Sequence, residues 1–186
     1  RSAWEAGREA GAQLVALPEM FILGYNTQDL VMKPAVQDAA IAAIDALMET
    51  CADGPALAIG GPAVIEGRLH NAYYILKGGQ RQACVLKHEL PNETVFDELR
   101  IYDPGPLGGP FVIEGIRVGT PVCEDAWHED VAETLAETGA EFLLVPNGSP
   151  YYRGKLQKRH AIMVSRAVET GLPLIYLNMV GGQDDQ

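Results

Sequence analysis

A layered α/β fold is what this sequence predicts, and three observations carry the prediction. Short apolar runs alternate with segments whose apolar residues recur at helical spacing. Glycines and prolines punctuate the runs where turns are needed. The 186 residues, 47% apolar and 21% charged, suit one globular domain with a substantial core.

The elements follow in order. Residues 14–17 form a short apolar run stopped by Pro18. Val36, Ala40, Ala43, Ile44, Leu47 and Met48 recur at helical spacing behind Pro34, a helix-entry residue. Residues 56–65, 73–76 and 83–86 read as strands separated by Gly-rich turns. Residues 111–113 and 116–122 read as a strand pair around a Glu-Gly turn. A helix is expected over 128–138, ended by Gly139, and a buried strand over 142–145, stopped by Pro146. Residues 155–170 read as a helix with Leu156, Met163, Ala167 and Val168 near one face and Gly171 as its stop. Residues 174–177 form the last strand. The chain opens at Arg1, without a Met, in what reads as the last turns of a helix. It stops soon after a buried strand, so a fragment cut at both ends is expected.

Bulk properties exclude some functions. A net charge of −11 argues against a nucleic-acid surface, which needs a basic stripe, and against an anionic membrane. No apolar run approaches the roughly 20 residues of a membrane span. No signal peptide is visible. Three cysteines at wide spacing make no disulfide framework, so a reducing, cytoplasmic compartment is expected.

Several polar residues fall just past the ends of apolar strands: Glu19, Lys87, Cys123, and Asn147 with Ser149. In layered α/β folds strand ends are where ligands bind. Cys123 has two readings, a nucleophile at a strand exit or a small buried hydrophobe; Cys51 and Cys84 read as structural. A thiol nucleophile needs a base. His70, His88, His128 and His160 carry no distinctive motif and read as surface residues. Glu19, in Leu17-Pro18-Glu19-Met20-Phe21, is the other candidate: a carboxyl among apolar neighbours is expected to have a raised pKa. It could equally be a satisfied structural carboxylate. Lys87 could stabilise an oxyanion or be a solvated strand-end lysine. Neither Cys123 nor His128 has partners at ligand spacing, so no metal site is expected.

The order Glu, Lys, Cys with these flanks resembles the nitrilase superfamily of carbon–nitrogen hydrolases. The flanks are Leu17-Pro18-Glu19 with Gly24-Tyr25, Lys87 with Leu90-Pro91-Asn92 and Phe96-Asp97-Glu98, and Val122-Cys123-Glu124-Asp125. Val95-Phe96-Asp97-Glu98, Cys123-Glu124-Asp125-Ala126-Trp127, Val145-Pro146-Asn147-Gly148-Ser149-Pro150-Tyr151 and Val180-Gly181-Gly182-Gln183-Asp184 resemble the glutaminase domain of glutamine-dependent NAD synthetases. The likeness covers residues 9–186.

The resemblance implies a nitrilase-type α-β-β-α sandwich. It implies Glu19 as base, Lys87 as oxyanion stabiliser, Cys123 as nucleophile, and Ser149 and Lys155 as glutamine-binding residues. It also implies a separate synthetase domain in the parent chain, where ATP and Mg act. Residues 1–186 would be the amidase domain alone, with no cofactor of its own and in a homo-oligomer. No Ser-Gly-Gly-x-Asp-Ser loop occurs, and residues 148–156 do not match a Walker P-loop. Many relatives carry Tyr-Gly where this chain has Glu93-Thr94. The tyrosine's role is therefore not carried to Glu93, which could contact the substrate amine, while Tyr25 or Tyr151 could supply the ring. A stand-alone amidase or carbamoylase, and a non-catalytic binding domain, are the rival readings.

Overall fold

The computed structural model describes residues 1–25, 27–93 and 95–182. Among these residues the strands form two sheets. The first has the order β1 (Leu14–Ala16), β2 (Ala56–Ile65), β3 (Arg68–Lys77), β4 (Gln80–Leu86). The second has the order β5 (Phe111–Ile113), β6 (Ile116–Gly119), β7 (Phe142–Asn147), β8 (Leu174–Asn178). The helices are α1 (Ser2–Glu9), α2 (Pro34–Thr50), the single turn α3 (Glu98–Ile101), α4 (Glu129–Glu137) and α5 (Lys155–Thr170).

The period-2 alternation of the strands sorts their side chains into layers. Ala56 and Ala58 of β2 and Tyr73 and Ile75 of β3 pack against Phe111, Ile113, Val118 and Leu144 of the other sheet. The intervening Leu57, Ile59, Ala72, Tyr74 and Leu76 pack against Trp4 of α1 and Ile44 of α2. In the second sheet Leu143 meets Val131 and Leu135 of α4, and Val145 meets Met163 of α5. Helices, sheet, sheet, helices are therefore the four layers, as the resemblance implies. Strands buried on both faces explain why the apolar runs look continuous. Each such Leu or Ile contributes about 1.5–3 kcal/mol by burial.

Strand direction gathers the loops. β1 is parallel to β2, and two antiparallel steps make β4 parallel to β1. β6, β7 and β8 are mutually parallel. Within each sheet the C-terminal ends of these strands therefore share an edge.

Three expectations need correction. Pro146 does not stop β7. The Met179 N–H donates to the Asn147 carbonyl on the β8 side, so the backbone of Pro146 faces the other way. There β6 has already ended, level with Leu143, and no ladder bond is lost. On α5, Val168 and Leu156 are exposed, not buried with Met163. Val168 lies roughly 140° around the helix axis from Met163 at 3.6 residues per turn. His70 is buried inside β3, its Nδ1 at 2.8 Å from the Asp103 carbonyl oxygen.

Candidate active site

Glu19, Lys87 and Cys123 meet at the strand ends, buried to 0%, 0% and 2% exposure. The Lys87 ammonium donates to Glu19 Oε1 at 2.7 Å and to Glu98 Oε1 at 2.9 Å. Its backbone is pinned as well: its N–H donates to the Asn71 carbonyl at 2.9 Å, and its carbonyl accepts the Gly105 N–H at 2.7 Å. Glu19 also receives Asn71 Nδ2 at 2.9 Å and, on Oε2, the Gly148 N–H at 2.8 Å. The Cys123 thiol is close enough for the Glu19 charge to be, after burial, the main cause of its raised pKa. Glu19 thus binds Lys87 directly, and its bond to Gly148 ties the first sheet to the end of β7 in the second.

Local backbone explains the placement. Gly60 of β2 lies beneath the Glu19 turn, donating its N–H to the Pro18 carbonyl at 3.2 Å and accepting the Ile22 N–H at 3.1 Å. Without a side chain it lets the Glu19 backbone come close. Cys123 begins a 3-10 turn (Cys123–Trp127) with φ of 51°, and Met20, next to Glu19, has φ of 49°. Both are left-handed and strained for side-chain-bearing residues, a state that only a well-determined surrounding structure maintains.

The electrostatics follow from burial. Burial alone disfavours the Lys87 ammonium, but the charges of Glu19 and Glu98 outweigh it and hold the Lys87 pKa well above the ordinary value. Burial, then the Glu19 charge, push the Cys123 thiol well up, with Lys87 pulling the other way. The resting sulfur is therefore a thiol. Burial raises Glu98, opposed by Lys87 and reinforced by Glu19. The apolar sequence neighbours of Glu19 mislead about its surroundings, because its carboxylate faces an ammonium, an amide and a backbone N–H.

A cavity of about 520 Å³ opens on Cys123, and Ser149, Lys155, Glu93, Glu124, Trp127 and Tyr152 are among its walls. Ser149 and Lys155 thus share a cavity with Cys123. Burial, then Arg159, pull the Lys155 pKa below the usual lysine value. Its Nζ lies 4.9 Å from the centroid of the Tyr152 ring and 5.9 Å from that of Phe96. Neither ring named from sequence lines this cavity, but both line an adjoining cavity of about 710 Å³ that shares Ser149, Tyr152 and Lys155 with it. Tyr25 donates its hydroxyl to Glu98, Tyr151 is 87% exposed, and Tyr152 is the tyrosine present. Asn147 spends its amide on the Val145 carbonyl at 2.7 Å. Thr94, Gln183 and Asp184 of the quoted motifs lie outside the described residues. A cleft of about 590 Å³ along β4, walled by Cys84, Val85 and Phe111, does not include Cys123.

Sequence reasoning missed Glu98 and Asn71 as members of this network. Glu98 stands in a quoted motif without a role, and the signal for Asn71 was a lone amide ahead of the apolar run 72–76. The histidines are engaged elsewhere: His88 with the Gly105 carbonyl at 2.7 Å, His128 with Glu124 at 3.5 Å. His88, Glu89 and Asp130 bring ligand-type atoms within 4.8 Å of one another, a cluster that spacing did not reveal. Such proximity does not by itself define a metal site.

Four layers and a buried carboxylate–ammonium–thiol cluster define the class, a hydrolase of the nitrilase superfamily. The chain belongs to the carbon-nitrogen hydrolase family, whose sequence model matches residues 2–186. It is 60% identical over 185 residues to a glutamine-dependent NAD(+) synthetase of Rhodobacter capsulatus, covering 100% of this chain and 34% of that protein. The structure of glutamine-dependent NAD+ synthetase from Acinetobacter baumannii superposes with a TM-score of 0.89 at 30% identity, covering 99% of this chain and 35% of that one. A carbon-nitrogen hydrolase from Helicobacter pylori shares the fold, with a TM-score of 0.79 at 24% identity over 97% of this chain and 67% of its own. The chain spans about a third of the length of the curated relatives it matches. Among the described residues no helix is long and apolar enough to cross a membrane.

Proposed function

We propose that residues 1–186 are the glutamine amidohydrolase domain of a glutamine-dependent NAD synthetase. The observation that carries this is the burial of Glu19, Lys87 and Cys123 together, with Glu19 bonded to the Lys87 ammonium, its charge acting on the Cys123 thiol, and a cavity of about 520 Å³ opening on Cys123. The likeness to glutamine-dependent NAD(+) synthetases over the whole chain supports the substrate.

Glu19 takes the thiol proton as the sulfur attacks the side-chain amide carbon of glutamine. Lys87 stabilises the oxyanion that forms. The C–N bond then breaks, Glu19 returns the proton to the departing nitrogen, and ammonia leaves a Cys123 thioester. Water, deprotonated by Glu19, attacks the thioester; the C–S bond breaks, glutamate forms and the thiol is restored. Ser149 and Lys155 hold the glutamine. Ammonia passes to a synthetase domain of the same parent chain and amidates nicotinic acid adenine dinucleotide to NAD. ATP and Mg²⁺ belong to that domain, and no residue of this chain is assigned to them. A reducing cytoplasm, supported by three free cysteines, suits a thiol nucleophile.

The test uses the complete protein. Cys123→Ala abolishes glutamine hydrolysis with the fold kept, and an alkylating glutamine analogue labels Cys123 in the parent by mass spectrometry. Hydrolysis surviving in Cys123→Ala would refute the proposal.

A further inference from the structure

We infer that Asp125 is a positioning residue that sets the spacing between Cys123 and Lys87 by tying their two backbone segments to one carboxylate. The inference rests on the roles proposed above for those two residues.

Asp125 is 1% exposed. Its Oδ2 accepts the Val122 N–H at 2.9 Å. Its Oδ1 accepts the His88 N–H at 3.0 Å and the Glu89 N–H at 2.7 Å. Val122 immediately precedes Cys123, and His88 and Glu89 immediately follow Lys87. The first donor is on the exit from β6, the other two on the exit from β4. These strands belong to separate sheets with no ladder between them. One carboxylate therefore bridges the sheets within one residue of each group whose separation the chemistry depends on.

A purely local role accounts for less. Capping the 3-10 turn needs only the Val122 N–H. It does not account for two donors 36 and 37 residues away in the chain. Cys123 also holds a left-handed φ of 51°, which persists only where neighbours impose it. The bond before Cys123 and the turn after it are both fixed through Asp125, whose own N–H donates to the Val122 carbonyl at 3.1 Å. A second inter-sheet tie at the site, Glu19 to the Gly148 N–H, is made by a residue that on the proposed mechanism must also carry protons. Asp125 has no part in those proton transfers.

Asp125→Asn tests this. An amide offers one oxygen and turns an NH₂ toward N–H donors, so one side of the bridge is lost. The measurement is glutamine hydrolysis by the complete protein, with kcat expressed per molecule folded by circular dichroism and urea titration so that unfolded molecules are not counted. The expected result is a kcat lower by roughly 100-fold, the effect of an ångström-scale misplacement, with KM within about threefold because the cavity walls remain. Asp125→Glu keeps the charge but lengthens the reach, and is expected between the parent and Asp125→Asn. A purely structural role would lower the melting temperature and the folded fraction yet leave kcat per folded molecule unchanged; that outcome overturns the inference. Should Asp125→Asn not fold, parental kcat per folded molecule in Asp125→Glu overturns it equally. Neither result touches the function reading, which Cys123→Ala decides.

Discussion

Replacing Gly60 by alanine should misplace Glu19 without removing any polar group. A Cβ at position 60 would stand 2.2 Å from the Met20 nitrogen, 2.6 Å from the Glu19 carbonyl carbon and 2.7 Å from the Glu19 Cα. Ordinary contacts between such atoms begin near 3.4 Å, so the turn must retreat by roughly 1 Å. These are backbone atoms, and no rotamer change relieves them. Met20 is already at φ of 49°, so the turn has little slack. From starting distances of 2.7, 2.8 and 2.9 Å, the bonds of Glu19 to Lys87, Gly148 and Asn71 would stretch past about 3.5 Å, where hydrogen bonding fails. A misplacement of this size costs on the order of 100-fold in rate, about 2.7 kcal/mol of transition-state stabilisation. Overpacking adds about 1–3 kcal/mol of lost stability. Steady-state ammonia release from glutamine and a urea unfolding curve measure the two effects. Gly61→Ala is the control. It points to the other face of β2, where its Cβ would meet the flexible Ile44 Cδ1 at 3.2 Å and Ile22 at 3.5 Å; its rate should stay within about threefold of the parent. Parental kcat in Gly60→Ala, or an equal loss in Gly61→Ala, would refute the reasoning.

Two further predictions concern charge. Lys87→Met leaves Glu19 and Glu98 buried without their shared ammonium, so it should lose hydrolysis and about 3–5 kcal/mol of stability by urea denaturation; a loss below about 1 kcal/mol would mean the carboxylates do not depend on Lys87. Burial pushes the Asp125 carboxyl up to about 7 from the ordinary 3.8, against three backbone N–H donors and Lys87, which lower it. The folded protein therefore binds that proton more tightly than the unfolded chain does. The stability this supplies is present below about pH 4 and is lost as pH rises to about 7, up to about 4 kcal/mol in all. Glu98 is shifted in the same direction, so the informative quantity is the difference between parent and Asp125→Asn. The variant should lack the Asp125 part of the decline when urea midpoints are compared at pH 4.5 and 7.5, and a parallel decline in both proteins would contradict it.

Sequence made some of this site legible and hid the rest for identifiable reasons. Glu19, Lys87 and Cys123 each end an apolar run, and a run that stops at a polar residue marks a strand end whether or not its partner is known. What lies across from each end is a matter of pairing, and that is non-local. Asn71 reaches Glu19 across 52 residues and Gly148 reaches it across 129. The same gap explains the misplacement of His70 at the surface, because only tertiary packing shows that β3 is paired at both edges and covered on both faces. Pro146 was a sound stop signal by local chemistry; the early end of β6 removed the penalty.

The geometry also bears on why two carboxylates attend one ammonium. On the proposed mechanism Glu19 becomes neutral when it holds the thiol proton, and Lys87 would then face the anionic sulfur in a buried site with no fixed counter-charge. Glu98 supplies that charge. Its Oε1 stays on Lys87 at 2.9 Å and is itself held by the Tyr25 hydroxyl. Proton transfer from Cys123 to Glu19 moves a charge within the cluster without changing its sum, so a low-dielectric interior resists it less than it would resist creating a new ion. Lys87 keeps one partner through the cycle and one face for the oxyanion. Burial then strengthens the stabilisation of that oxyanion instead of opposing the thiolate that generates it.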